Sequence, residues 1–330
     1  MALAPTLPIR PPVSVDRPLF AISLMLGFCL LAPLGDAVAK LLGDTIPVLQ
    51  LVLIRFAGQA LLLPFALPGS RAIVASPRLV RATALRTVLH MVGIGTLFWS
   101  LQYLPLADAV AIIFVMPFVI LALGAFIYGE TVGPRRVAAA ALGFAGTLMV
   151  VQPSFAEVGW PAFLPMVVAV VFAFFMFVTR SVAKEVDAVA LQAVSGTIAT
   201  VLAGALVAGA IAFGWMEWVW PVRADAWLMV VIAVIGTLSH LLLTWSLRHA
   251  PASTLAPMQY LEIPFATALG WAIFSDLPNG LAAVGIAVTV AAGLAVIWFE
   301  RENAVHAARE LRDGPGPSGA SAPHPRNEAP

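Results

Sequence analysis

The sequence is poor in charge. Only 11% of its 330 residues are Asp, Glu, Lys or Arg, against 61% that are hydrophobic, whereas soluble domains carry about 25% charged residues. A mean hydropathy of +0.97 excludes an ordinary soluble enzyme or binding module. There is one cysteine, Cys29, so neither an intramolecular disulfide nor a cysteine-built metal cage can form. The 18 basic residues lie mostly in short loops and tails and form no stripe that could follow a phosphate backbone, so no nucleic acid partner is expected. Motifs of catalysis are missing as well: the chain has no H-E-x-x-H and no G-x-x-x-x-G-K. Ser239 and His240 are adjacent, but neighbours on a helix point about 100° apart, and no third residue completes a triad. No enzyme activity, cofactor or metal is expected. A channel would need rings of filter carbonyls or charges, and none is evident.

What the chain has is apolar length. About 20 apolar residues at 1.5 Å each cross a bilayer core. Ten stretches qualify, at about 19–41, 46–67, 86–104, 108–129, 135–153, 160–179, 190–214, 226–247, 252–274 and 279–299. The first is too long for a signal-peptide core and lacks a small-residue cleavage site, so it reads as a retained span. Residues 1–18 and 300–330 are expected to be cytoplasmic tails, largely disordered, with a short surface helix over 301–312. Fifteen of the 18 Lys and Arg fall on one side under this assignment, which makes that side cytoplasmic. Trp160, Trp215, Trp218, Trp220 and Trp227 collect at the opposite boundary, where interfacial aromatics belong. The expected location is the cell inner membrane, with both termini cytoplasmic.

The chain also repeats itself. W-S-L-x-x-x-P begins at Trp99 and again at Trp245, 146 residues later. The same offset matches Leu123-Gly124 to Leu269-Gly270, Glu130 to Asp276, and Ala139, Gly143 and Thr147 to Gly285, Thr289 and Gly293. Pro117 and Pro264 correspond with a slip of one residue. Two five-span halves, 19–153 and 160–299, follow. Five is odd, so the second half enters the membrane inverted, a plan common in secondary transporters. The expected fold is therefore all-α: ten transmembrane helices in two inverted five-helix repeats.

Each half carries an alanine-rich entry, a mid-span proline and an acidic residue before the next helix, "LADAVAIIFVMPFVILALGAFIYGE" and "ASTLAPMQYLEIPFATALGWAIFSD". In this the chain resembles the drug/metabolite transporter superfamily, in its EamA-type branch. It departs from an even repeat by having Asp276 opposite Glu130 and Glu262 opposite Met116. The stretch Gly35–Phe56, "GDAVAK…LIRF", is similar to a subgroup that includes bacterial S-adenosylmethionine uptake carriers. The resemblance implies a secondary transporter working by alternating access, with a central cavity from spans 1–4 and 6–9 and spans 5 and 10 as outer support. The small-molecule substrate expected is a polar metabolite, an amino acid or related zwitterion, because one cation and one anion lie at similar depth. Coupling to protons or another ion and assembly as a homodimer are left open. A membrane receptor or assembly subunit without flux is the alternative.

The cation is Arg55, about 13 Å into the second span at 1.5 Å per residue. An arginine so deep costs at least about 2.5–3.5 kcal/mol and should face protein or a wet cavity. It is a candidate clamp for a substrate carboxylate, or one half of an internal ion pair with Asp36. Gln59, one turn on, shares its face. The anion is Glu262 in "MQYLEIPF", a candidate proton-coupling group or amine partner, or a permanent mate of Arg55. Gln259 shares its face and Tyr260 does not. Asp36 and Lys40 have the spacing of an intrahelical ion pair. Pro117 and Pro264 mark interrupted helices, which in transporters point to the binding site. Trp99, Phe114, Trp245 and Tyr260 could line a pathway or simply pack. His90 and His240 read as hydrogen-bonded core residues. The small-residue ridges 139–147 and 285–293 read as close helix contacts, and Glu130 and Asp276 as helix-end charges.

Overall fold

A computed structural model of the chain describes residues 18–63, 68–128, 134–250 and 255–313, and among these every regular element is helical. In chain order the α-helices are α1 (Pro18–Gly43), α2 (Val48–Leu62), α3 (Pro68–Ala75), α4 (Pro77–Ser100), α5 (Leu106–Ile113), α6 (Met116–Tyr128), α7 (Pro134–Val158), α8 (Leu164–Ala183), α9 (Ala188–Ala212), α10 (Arg223–His249), α11 (Glu262–Phe274) and α12 (Gly280–Asp313). Short 3-10 segments, Trp160–Phe163 and Ala256–Leu261, lead into α8 and α11. Five stretches are long and apolar enough to cross a membrane: Leu19–Gly43, Val137–Val158, Trp160–Ala183, Ala188–Ala212 and Arg223–His249. Glu130 lies outside the described residues.

Local chemistry sets several helix ends. Ser76 accepts from the Leu79 N–H at 3.4 Å, with Pro77 just behind it; the hydroxyl satisfies an N–H left orphaned by the first turn. Asp187 does the same for Val189 and Ala190 at 2.9 and 3.1 Å. The α5–α6 break falls at Phe114 and Val115, whose N–H groups bond three residues back, to Ala111 and Ile112. Pro117 follows as the second residue of α6, and Pro264 is the third residue of α11. In the first turn a proline's missing N–H has no carbonyl to reach, so each proline stabilises a restart there. The interrupted helices anticipated in the two halves are thus present, with the breaks just ahead of the prolines.

Some boundaries differ from those expected. The third apolar stretch begins at Pro77 rather than at residue 86, which draws Arg86 from a loop into a helix. The last helix runs unbroken from Gly280 to Asp313, so residues 301–312 continue it and do not form a separate surface helix. The segment α3 was not legible beforehand.

Packing is reciprocal between the halves. α1 lies along α10 while α8 lies along α4, α2 packs on α9, and α7 packs on α12. The last pair meets through the small-residue ridges: Thr289 Oγ1 is 3.5 Å from the Gly143 carbonyl, and a Cβ on Gly285 would stand 2.5 Å from the Gly146 carbonyl oxygen. Gly143 and Thr289 are themselves partners in the 146-residue register.

Candidate functional site

A cavity opens at the middle of this packing, lined by α1, α2, α4, α5, α8, α10, α11 and the two helix breaks. No residue of α7, α9 or α12 lines it, so α7 and α12 stand outside it, and α9 backs α2. Its lining is apolar at Phe28, Ile94, Phe114 and Phe172 and polar at Asp36, Arg55, Ser239, His240, Gln259 and Glu262. About 50 Å³ of it is open to water, enough for a few water molecules at about 10–15 Å³ of probe space each.

The polar lining is built from single turns. Arg55 projects from the middle of α2 and is 5% exposed. Its Nη2 donates to His240 Nδ1 at 3.0 Å, while Nη1 has no partner. Among the described residues no carboxylate comes within ion-pair distance of Arg55. Neither ion pair considered for it, with Asp36 or with Glu262, is made. Asp36 still lies near enough to act on Arg55 electrostatically. Glu262 opens α11; its Oε1 and the Oε1 of neighbouring Gln259 are buried and unpartnered. His240 Nε2 is unpartnered as well. Buried polar atoms are almost always paired, so four orphans among the residues that line one cavity mark it as the candidate site.

Other candidates fall elsewhere. Lys40 does not pair with Asp36. It reaches the Leu104 carbonyl at 2.8 Å and Asp276 at 3.4 Å, because it lies where the ends of α1 and α11 meet. Gln59 turns from the cavity to α9, donating to the Gln192 carbonyl at 2.7 Å and its side-chain oxygen at 3.1 Å. Trp99 is 40% exposed on the outer face of α4, edge-on to Trp160 at 5.6 Å, and Trp245 is half-buried on α10 and does not line the cavity. Tyr260 lies behind Phe114, their rings 5.0 Å apart, and packs against Gly293, where a Cβ would come within 2.1 Å of its ring. The side chain of Pro264 is exposed. Of the four aromatics expected to line a pathway, Phe114 reaches the cavity, with Tyr260 as its backing.

Four features escaped the sequence. Arg86, counted there as a loop charge, is fully buried. It donates to Thr179 at 3.0 Å, Ser195 at 2.7 Å, Gln192 at 3.2 Å and Thr244 at 3.2 Å, tying α4, α8, α9 and α10 into one knot. His90 is not hydrogen-bonded: both ring nitrogens lack partners, and the ring stacks on His240 at 4.1 Å and on Phe175 at 4.9 Å. Ser239 Oγ lies 3.2 Å from His240 Nδ1 despite their adjacency in sequence, since the hydroxyl rotates back along the helix toward the Gly236 carbonyl. Asp108, buried and bonded by Ser154 at 3.0 Å, gave no signal beyond its charge in an apolar run.

Residues 19–152 match the EamA-like transporter family. The first half of the chain is an EamA-type transporter unit. Relatives extend the likeness into the second half. A pseudopaline exporter of Pseudomonas aeruginosa is 26% identical over 79% of this chain and 90% of its own. An S-adenosylmethionine uptake transporter of Rickettsia prowazekii is 23% identical over 82% and 90%, and a riboflavin transporter of Rhizobium johnstonii is 29% identical over 65% and 69%. A solved crystal structure, 20% identical, superposes with a TM-score of 0.59 over 86% of this chain and 97% of that one, which establishes the likeness of fold. Members of the matched family are transporters rather than enzymes, and the likeness supports a transporter of small metabolites.

Proposed function

We propose that this EamA-type chain is a secondary carrier of the inner membrane, with ten spans in two inverted halves, and that it moves an amphoteric metabolite through the central cavity. The observation that carries the reading is the set of unpartnered buried atoms among the cavity's lining residues: Arg55 Nη1, His240 Nε2, Gln259 Oε1 and Glu262 Oε1. One guanidinium beside two carboxyls complements a molecule that bears a carboxylate and one or two cationic centres. The carboxylate meets Arg55, for which a planar fork is suited; amine or sulfonium groups meet Glu262 and Asp36; the body lies on Phe28, Phe114 and Phe172. Amino acids and S-adenosylmethionine fit this description, and the named relatives include an S-adenosylmethionine carrier.

The small cavity and the reciprocal packing support alternating access. One half rocks against the other, and the clasp of Lys40 to Leu104 and Asp276 opens on the outer side. Glu262 carries the coupling proton. The test is transport into proteoliposomes of purified protein, with S-adenosylmethionine, L-phenylalanine and riboflavin as probes. Saturable uptake of one of the first two, lost in Arg55→Leu, is the expected result. Uptake of riboflavin alone would overturn the amphoteric assignment, and flux of none of the three would point to a receptor or assembly role.

A further inference from the structure

Arg55 is held by a slot that α10 builds. A guanidinium donates and never accepts, so in the 3.0 Å contact His240 Nδ1 is the acceptor and the ring proton sits on Nε2. One turn earlier on α10 stands Gly236. A Cβ there would come 2.7 Å from Arg55 Nε, 2.9 Å from Cζ and 3.1 Å from Nη2, closer than real Cβ atoms approach. Glycine leaves the floor of the slot open and histidine, four residues on, supplies its acceptor wall. The His240 ring is itself pinned, stacked on His90 at 4.1 Å and edge-on to Phe28 at 5.7 Å. His90 offers no competing bond, since both its nitrogens are unpartnered.

We infer that Gly236 and His240 form a positioning slot that fixes the Arg55 guanidinium by its Nη2 edge and so presents Nη1 to an anionic group of the substrate. A free arginine side chain loses rotamer freedom on binding; here that loss is taken before the substrate arrives, which is preorganisation in the ordinary sense. His240 touches no substrate in this scheme. It acts through Arg55, and the ring's Nδ1 is the atom that matters. The inference rests on the cavity being the substrate site, but the slot can be tested apart from it.

Nitrogen-15-labelled arginine separates the two. A guanidinium fixed on one edge shows distinct, slowly exchanging Nη resonances, and the signal belonging to Arg55 is the one lost in Arg55→Lys. That splitting is expected in wild type, absent in His240→Leu and retained in His240→Asn, whose Oδ1 occupies nearly the place of Nδ1. Gly236→Ala should collapse it as well, by displacing the guanidinium rather than removing its acceptor. Binding of S-adenosylmethionine to purified protein should weaken about tenfold in His240→Leu, because the arginine's rotamer freedom is then lost only on binding, and recover in His240→Asn. A splitting that survives His240→Leu, or a His240→Asn variant as impaired as His240→Leu, would overturn the slot. Wild type that shows the splitting yet binds no S-adenosylmethionine would leave the slot standing and sink the choice of substrate.

Discussion

Glu262 and Arg86 are both buried polar residues, and their hydrogen bonding separates their roles. Glu262 leaves one carboxyl oxygen unpartnered in the cavity, the arrangement of a group that exchanges partners in a cycle. Glu262→Gln should abolish gradient-driven accumulation in proteoliposomes while substrate exchange continues, because exchange needs only a loaded carrier and accumulation needs a proton released on one side. Unchanged accumulation in the variant would remove Glu262 from the coupling step. Arg86, in contrast, has Nε, Nη1 and Nη2 all engaged, with side chains of three other helices. Nothing there is held ready, and the residue is a structural knot. Arg86→Leu removes the partner of the buried Thr179 and Ser195 hydroxyls, while Gln192 Oε1 keeps Gln59, and unsatisfied buried groups cost about 1–3 kcal/mol each. A clear fall in melting temperature in detergent is expected, with the affinity of the surviving folded protein for substrate little changed.

Among the elements, the close contact of α7 and α12 depends on glycine. The Cβ of Gly285→Ala would stand 2.5 Å from a backbone oxygen that cannot swing aside, so the helices must part, and overpacking of this kind costs about 1–3 kcal/mol. Gly280→Ala, where a Cβ meets nothing within 4 Å, is the matched control; equal melting temperatures for the two variants would contradict the contact. This interface was legible in the sequence because small residues four apart in an apolar helix have few other uses. So were Arg55 and Glu262, since a charge amid apolar residues stands out whatever it faces. Arg86 was not, because it follows Arg78 and Arg81 at the edge of an apolar run, where composition does not distinguish a helix's first turns from a loop. The Arg55–His240 bond spans 185 residues of chain, and no local pattern announces it. Trp99 and Trp245 show a further limit: in a span apolar on all sides, hydropathy does not say which aromatic faces inward.

At the scale of the molecule, the charges that join the halves lie at opposite ends of the helices. Lys40 meets Asp276 at 3.4 Å where α1 and α11 finish, and Arg78 meets Glu185 at 2.7 Å at the other end, where Arg248 and Arg180 also bond the Val186 and Leu247 carbonyls within the second half. The second end is also the arginine-rich one, and the proposed topology makes it the cytoplasmic end by the positive-inside bias. An inverted repeat then makes a definite statement about two loops 88 residues apart. The connection after Gly133, which ends the first half's fourth span, must be cytoplasmic; the connection near Pro221, which separates the second half's second and third spans, must be periplasmic. Reporters active only in the periplasm, fused after each residue, should be silent after Gly133 and active after Pro221. Two halves of the same orientation would require an additional crossing between them and reverse the second result. If the fusion after Pro221 were silent while that after Gly133 was also silent, the inverted arrangement would be wrong, and with it the placement of Lys40 and Asp276 at the outer mouth.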